Sequence, residues 1–137
     1  MLRHRTRTFL DSGVLITANR GLVGERNAAL EILEDPDRIF LSSPFLQHEV
    51  CPKALFNHRQ QEYRFYLEYF QRTAMLNDVR LILEHAGHES ARAGLGAMDS
   101  LHVTAAHLSE ADEFIATETP KKSIYRTKLV RVLYLFR

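Results

Sequence analysis

Cysteine occurs once in the 137 residues, at Cys51. A lone thiol excludes an internal disulfide and suits a reducing compartment, so the expected location is cytoplasmic. Long apolar runs are missing too: none approaches the roughly 20 residues that a membrane span requires. The basic start "MLRHRTRTFLDSG" runs straight into an apolar strand and does not read as a signal peptide. An excess of one charge is also lacking, since 18 Lys and Arg face 17 Asp and Glu for a formal net charge of +1. Global basicity therefore does not announce nucleic acid, and any such role has to come from a local patch.

Hydrophobic residues make up 45% of the chain. With mixed charges, that composition describes an ordinary globular protein and excludes a disordered or fibrous one. The length fits a single domain over residues 1–137, with a real core but no room for a second. "RTFLDSGVLITA" opens with a short strand, about residues 6–10, that ends at Asp11. "VLITAN" reads as a brief helix stopped near Gly21, and "LVGERNAALEILED" as a helix closed by Asp35-Pro36-Asp37. "RIFLSS" is a second strand, about residues 38–42. Ser43-Pro44 then starts a helix that reaches Phe56, with a kink expected at Pro52.

"RQQEYRFYLEYFQRTAML" and "VRLILEHAGHESARAGL" are helical in pattern, and Gly94 and Gly96 break the chain before a helix over about residues 98–109. Strands near residues 113–117 and 131–136 complete the set. No internal repeat, low-complexity tract or linker interrupts the order. Strands separated by helices imply parallel pairing, with helices on both faces of a sheet. Ligands of such sheets bind beyond the carboxyl ends of the strands.

Carboxylates gather at that edge. Asp11 follows the first strand, Glu49 lies on the helix after the second, Glu118 follows the third, and Asp99 begins the helix that enters the third. Each has an ordinary reading: a turn residue for Asp11, a solvated helix position for Glu49, a cap for Asp99, a loop charge for Glu118. Together they are harder to dismiss. Carboxylates crowded behind apolar strands repel one another and lose solvation, and divalent cations remove that penalty. Oxygen-rich sites suit Mg²⁺ or Mn²⁺, which serve phosphodiester hydrolysis.

The segments "FLDSGVLI", "SPFLQHEV", "MDSLHVTAA" and "FIATETP" carry a resemblance over nearly the whole chain. The chain resembles the PIN domain, a metal-dependent nuclease fold that includes the toxins of VapBC-type toxin–antitoxin pairs. The resemblance implies a three-layer α/β/α fold with a central, mostly parallel sheet of four or five strands. It also implies a Mg²⁺- or Mn²⁺-dependent ribonuclease in which Asp11, Glu49, Asp99 and Glu118 hold metal and orient water. Ser12, Thr117 and Thr119 resemble the hydroxyl residues that line such sites. Two positions depart from the pattern. Gly13 stands where a polar residue is usual, and Glu118 where an aspartate is usual. These departures keep an alternative open: a PIN-like domain with weakened metal binding that binds RNA or protein.

Other features are weaker. Lys121, Lys122, Arg126 and Lys128 form the local basic patch that net charge hides, and the first three could hold RNA phosphates. Five of the eight residues in "YRFYLEYF" are aromatic, more than one buried face needs. That surplus suggests an interface through Tyr63, Tyr66 and Tyr69, with a second copy in a homodimer or with an antitoxin segment. His48-Glu49 lacks the second histidine of a zinc protease motif, since Pro52 stands there. His85 and His88 are two metal-ligand types without a third. His102 is expected to pack or hydrogen-bond beside the sheet rather than act as a base. Phosphoaspartate chemistry on Asp11, as in haloacid dehalogenase-like phosphatases, wants a second aspartate where the chain has Gly13.

Overall fold

The first three strands are each followed by two helices in the computed structural model, which describes residues 4–136. In chain order the elements are β1 (Thr6–Leu10), α1 (Ser12–Arg20), α2 (Val23–Leu33), β2 (Arg38–Ser42), α3 (Pro44–Phe56) and α4 (Gln60–Arg72). Then come β3 (Ala74–Met75), α5 (Val79–Ala93), α6 (Ala97–Leu108), β4 (Glu113–Ala116), a 3-10 turn (Ser123–Arg126) and β5 (Val132–Tyr134). The strands form one sheet in the order β3-β2-β1-β4-β5, every pair parallel. With helices on both faces, the architecture is a three-layer α/β/α fold. Among the described residues, no helix is long and apolar enough to cross a membrane.

β1 is the central strand, and its last three residues are buried while the first two are half-buried. Phe9 stacks on Phe114 of β4 with ring centroids 5.4 Å apart. Leu10, Leu41, Leu46, Val103 and Ile115 surround that pair in the core. Losing one such aromatic ring costs about 3–5 kcal/mol, so this cluster fixes the register of β1 against β4. At the opposite end of the strands, the Arg38 guanidinium bridges three elements. It donates to Thr8 of β1, to the buried Glu113 of β4 and to Asp35 before β2.

Two local expectations change. The helix expected to run through residue 76 ends at Arg72, because Thr73 turns extended and Ala74 and Met75 pair with Leu41 and Ser42 of β2. Pairing with a sheet edge outweighs the helical preference of two residues. The brief helix after Asp11 extends from Ser12 to Arg20, taking in the residues on both sides of "VLITAN". α3 continues through Pro52 to Phe56. α5 closes at Gly94, whose φ of +69° is open to glycine at little cost.

Tyr66 and Tyr69, expected at an interface, are core residues at 0% and 2% exposure. The Tyr66 hydroxyl donates to Glu62 Oε2 at 2.9 Å, so its polar end is satisfied inside. Tyr69 packs between Phe40 and Phe70. Of the three tyrosines, Tyr63 alone is half-buried rather than buried.

Candidate metal centre

The sheet reverses its direction of growth at β1. The chain steps from β1 to β2 to β3 on one side, then returns to place β4 on the other. At such a switch point the connections leaving adjacent strands part, and a crevice opens beyond their carboxyl ends. Asp11 leaves β1 at this place, and its backbone N–H donates to Ile115 O of β4 at 3.0 Å. Its carboxylate caps α1, accepting from the Ser12 N–H at 2.8 Å. The cap and the anion site are therefore one group, held where unpaired helix N–H groups favour negative charge. Burial pushes the Asp11 carboxyl up from 3.8 to about 6. His102 and the Ser12 N–H oppose that rise, while the charges of Asp99 and Glu49 add to it.

Glu49 projects from α3 to meet His102 of α6, with Nε2 2.9 Å from Glu49 Oε1. A carboxylate can only accept, so Nε2 is the donor. This bond is the main reason the Glu49 carboxyl sits below its ordinary range, with Ser12 a smaller contributor. His102 itself is 1% exposed, in a run of buried residues from His102 to Ala106. Its Nδ1 has no hydrogen-bond partner among the described residues. Among the described residues, Asp11, Glu49 and His102 offer donor atoms that all lie within 4.8 Å of one another.

Asp99 is not a cap. Gly96 holds the cap position of α6, and Asp99 is the acidic residue of its first turn. Three positions separate it from His102, which puts the two on neighbouring parts of one helix face. Burial raises the Asp99 carboxyl, and the negative charges of Glu118 and Glu49 raise it further. Asp11, Glu49, Asp99 and Glu118 are thus linked by mutual repulsion into one acidic field, although Glu118 is itself exposed. A set of oxygen donors whose charges resist one another at a buried edge could hold a metal cation.

Thr117 and Glu118 follow β4 directly. Thr117 packs against Gly13, and a Cβ built at position 13 would lie 2.0 Å from Thr117 Oγ1. Thr119 is exposed, and its carbonyl accepts from the Lys122 N–H at 3.0 Å. The Tyr125 hydroxyl donates to the Glu118 carbonyl at 2.7 Å, which ties the start of this loop to its 3-10 turn. Lys121 and Lys122 are exposed. Arg126 is also exposed, but its guanidinium donates to Ala93 O at the end of α5. That contact gives Arg126 a helix-capping role in addition to any phosphate contact.

His102 is the residue of this centre that sequence reasoning left outside the acidic set. Its signal was present: a histidine three positions after Asp99, in a helix otherwise lined by small residues.

No sequence-family profile and no curated protein sequence matches the chain. Solved structures do. A VapBC2 complex from Rickettsia felis, bound to a DNA fragment from its promoter, has a chain that aligns with a TM-score of 0.70 at 15% identity. That alignment covers 94% of this chain and 98% of the other. A toxin–antitoxin complex from Klebsiella pneumoniae gives 0.69 at 20% identity, covering 95% and 98%. VapBC-1 from nontypeable Haemophilus influenzae gives 0.70 at 16% identity, covering 96% and 100%. Likeness over nearly the full length of both chains identifies the architecture: the chain has the PIN-domain fold.

Proposed function

We propose that this chain is a Mg²⁺- or Mn²⁺-dependent ribonuclease, a single domain over residues 1–137 that acts as the toxin of a toxin–antitoxin pair in the cytoplasm. The observation that carries the reading is the convergence of Asp11, Glu49 and His102 from three separate segments on the switch point of the sheet, with the charge of Asp99 acting on Asp11. Asp11, Glu49 and Asp99 would hold the ion, with Glu118 reaching it directly or through water. When bound, such an ion supplies a water activated for attack and a counter-charge for the phosphate. The chain's own part is positional. His102 holds the Glu49 carboxylate by a hydrogen bond, the Ser12 N–H holds Asp11, and the β1–β4 contact sets Asp11 against the end of β4. Lys121 and Lys122 would draw the RNA backbone toward the same edge.

The toxin–antitoxin complexes among the structural neighbours support an antitoxin as protein partner, and the reading includes a homodimer. With Tyr66 and Tyr69 buried, those contacts would have to use other residues, of which Tyr63 is one. One observation favours a second reading, a PIN-like domain that binds RNA or protein with little catalysis: Glu118 is exposed and stands apart from the tight Asp11–Glu49–His102 cluster.

Calorimetric titration of Mn²⁺, run beside cleavage of single-stranded RNA, separates the two. Asp11→Asn and Asp99→Asn are expected to abolish cleavage and cut metal affinity while leaving thermal unfolding cooperative. Full activity of Asp11→Asn in Mn²⁺ would overturn the assignment.

A further inference from the structure

A cavity of about 450 Å³ opens beside the candidate metal centre, walled by α1, α3 and the start of α4, and Glu49 is part of its lining. Its other charges are three cations and one buried carboxylate, Glu62, which is paired with the first of them. Arg20 comes from the end of α1, Lys53 from α3 and Arg59 from the residue before α4. Lys53 stands one helical turn beyond Glu49 and is close enough to favour its ionised form. Arg20 is fixed in place: its Nε lies 3.2 Å from Oε1 of the buried Glu62, whose other oxygen accepts from Tyr66. A guanidinium immobilised in this way has already lost the side-chain freedom that binding an anion would otherwise cost.

Phe56 also lines the cavity, with 82% of its surface exposed. Among the described residues, Phe56 belongs neither to the core nor to the hydrophobics packed against it. α1 runs from the Asp11 cap to Arg20, and α3 runs from Glu49 to Phe56. Along α3, Lys53 therefore lies one turn and Phe56 two turns, roughly 10 Å, beyond Glu49. A row of cations with an aromatic platform is the chemistry that follows a nucleic-acid backbone and stacks on an unpaired base. A duplex keeps its bases stacked inside, so the ring favours a single strand.

We infer that this cavity is a binding subsite for single-stranded RNA flanking the cleaved bond, with Arg20, Lys53 and Arg59 on phosphates and Phe56 stacked on a base. The inference rests on the ribonuclease reading for its orientation, but its test does not need catalysis. The probe is a fluorescent single-stranded oligoribonucleotide of about twelve nucleotides, with binding followed by anisotropy in EDTA over a range of salt. Phe56→Ala is expected to weaken binding by about fivefold or more without changing the salt slope. Lys53→Ala and Arg59→Ala should each flatten the slope by about one counterion. Mn²⁺ affinity of Phe56→Ala and Arg59→Ala, read by calorimetry, should stay at the wild-type value.

Failure of the wild type to bind the oligonucleotide, or unchanged binding in all three variants, overturns the subsite. The same result follows if the variants keep RNA but lose a glutamate-rich peptide of equal length, since the cavity would then be a protein dock. Absence of Mn²⁺ binding or of cleavage in the wild type would instead remove the ribonuclease reading and leave RNA binding at this cavity standing.

Discussion

Gly13 and Thr117 compete for one volume. A Cβ at position 13 would sit 2.0 Å from Thr117 Oγ1, 3.2 Å from its Cβ and 3.3 Å from its Cγ2. The loop after β4 therefore occupies the space that a side chain would need in the first turn of α1. This explains why a glycine stands where a polar residue is usual in the motif that Asp11 opens. The departure reflects close packing of the loop after β4 against the first turn of α1, and it leaves the Asp11 cap intact.

Gly13→Ala is accordingly expected to cost about 1–3 kcal/mol of stability, as overpacking does, although alanine is the better helix former. Thr117→Ala removes two of the three close atoms. In that background the same substitution should cost measurably less. Urea unfolding of the four proteins gives the coupling, and additive costs would show that the two residues do not share this space.

His102 supports Glu49 from a fully enclosed position, so its removal should act on the metal centre through that carboxylate. Partners of this kind are commonly worth about 10- to 100-fold in metal affinity. His102→Ala should lose that much in a Mn²⁺ titration and also lose stability to the cavity it leaves. His102→Gln keeps a donor and most of the volume. It should recover stability and part of the affinity, and equal affinity in all three proteins would make His102 a packing residue only.

Much of this arrangement was legible in the sequence because it is local. An apolar strand ending in Asp11, and Asp99 ahead of a small-residue helix, are patterns of adjacent residues. β3 was not legible, since two residues become a strand only by meeting the edge of β2. The tyrosines of α4 were misplaced for a related reason. Glu62 gives the Tyr66 hydroxyl a partner four residues away, and sequence alone does not say that this carboxylate is buried. The clash that demands Gly13 involves residues 13 and 117, and no reading of neighbours could have found it.

Glu89 gives a pH dependence away from the carboxylate cluster. Buried on α5, it accepts from Arg92 at 2.8 and 2.9 Å, from the Thr127 hydroxyl at 2.6 Å and from the Lys128 N–H at 3.3 Å. These bonds, with Arg92 the largest cause, lower its carboxyl from 4.5 to about 2. Because the folded value lies below the unfolded one, the stabilisation is complete above about pH 4.5 and is lost as pH falls toward 2. Its size is about 3 kcal/mol. Glu89→Gln should therefore lower stability at pH 7 and make the unfolding midpoint less sensitive to acid between pH 4.5 and 2. Parallel acid dependence in both proteins would assign the loss to other carboxyls.

Glu118 is the outermost of the four carboxylates, exposed on the loop after β4 while its carbonyl is held by Tyr125. Its charge reaches Asp99, which it helps to raise. Removing that charge without changing shape should weaken Mn²⁺ binding, but only modestly, because an exposed charge is screened by water. A loss of about two- to fivefold is expected for Glu118→Gln, the range of an exposed ion pair. Glu118→Asp keeps the charge and draws the oxygens back by about one C–C bond. A water can span that gap, so metal affinity should be kept, and cleavage should be equal to or faster than that of the wild type. Calorimetry and RNA turnover on both variants decide the matter. Unchanged affinity and turnover in each would make Glu118 a loop charge, with Asp11, Glu49 and Asp99 forming the whole acidic set.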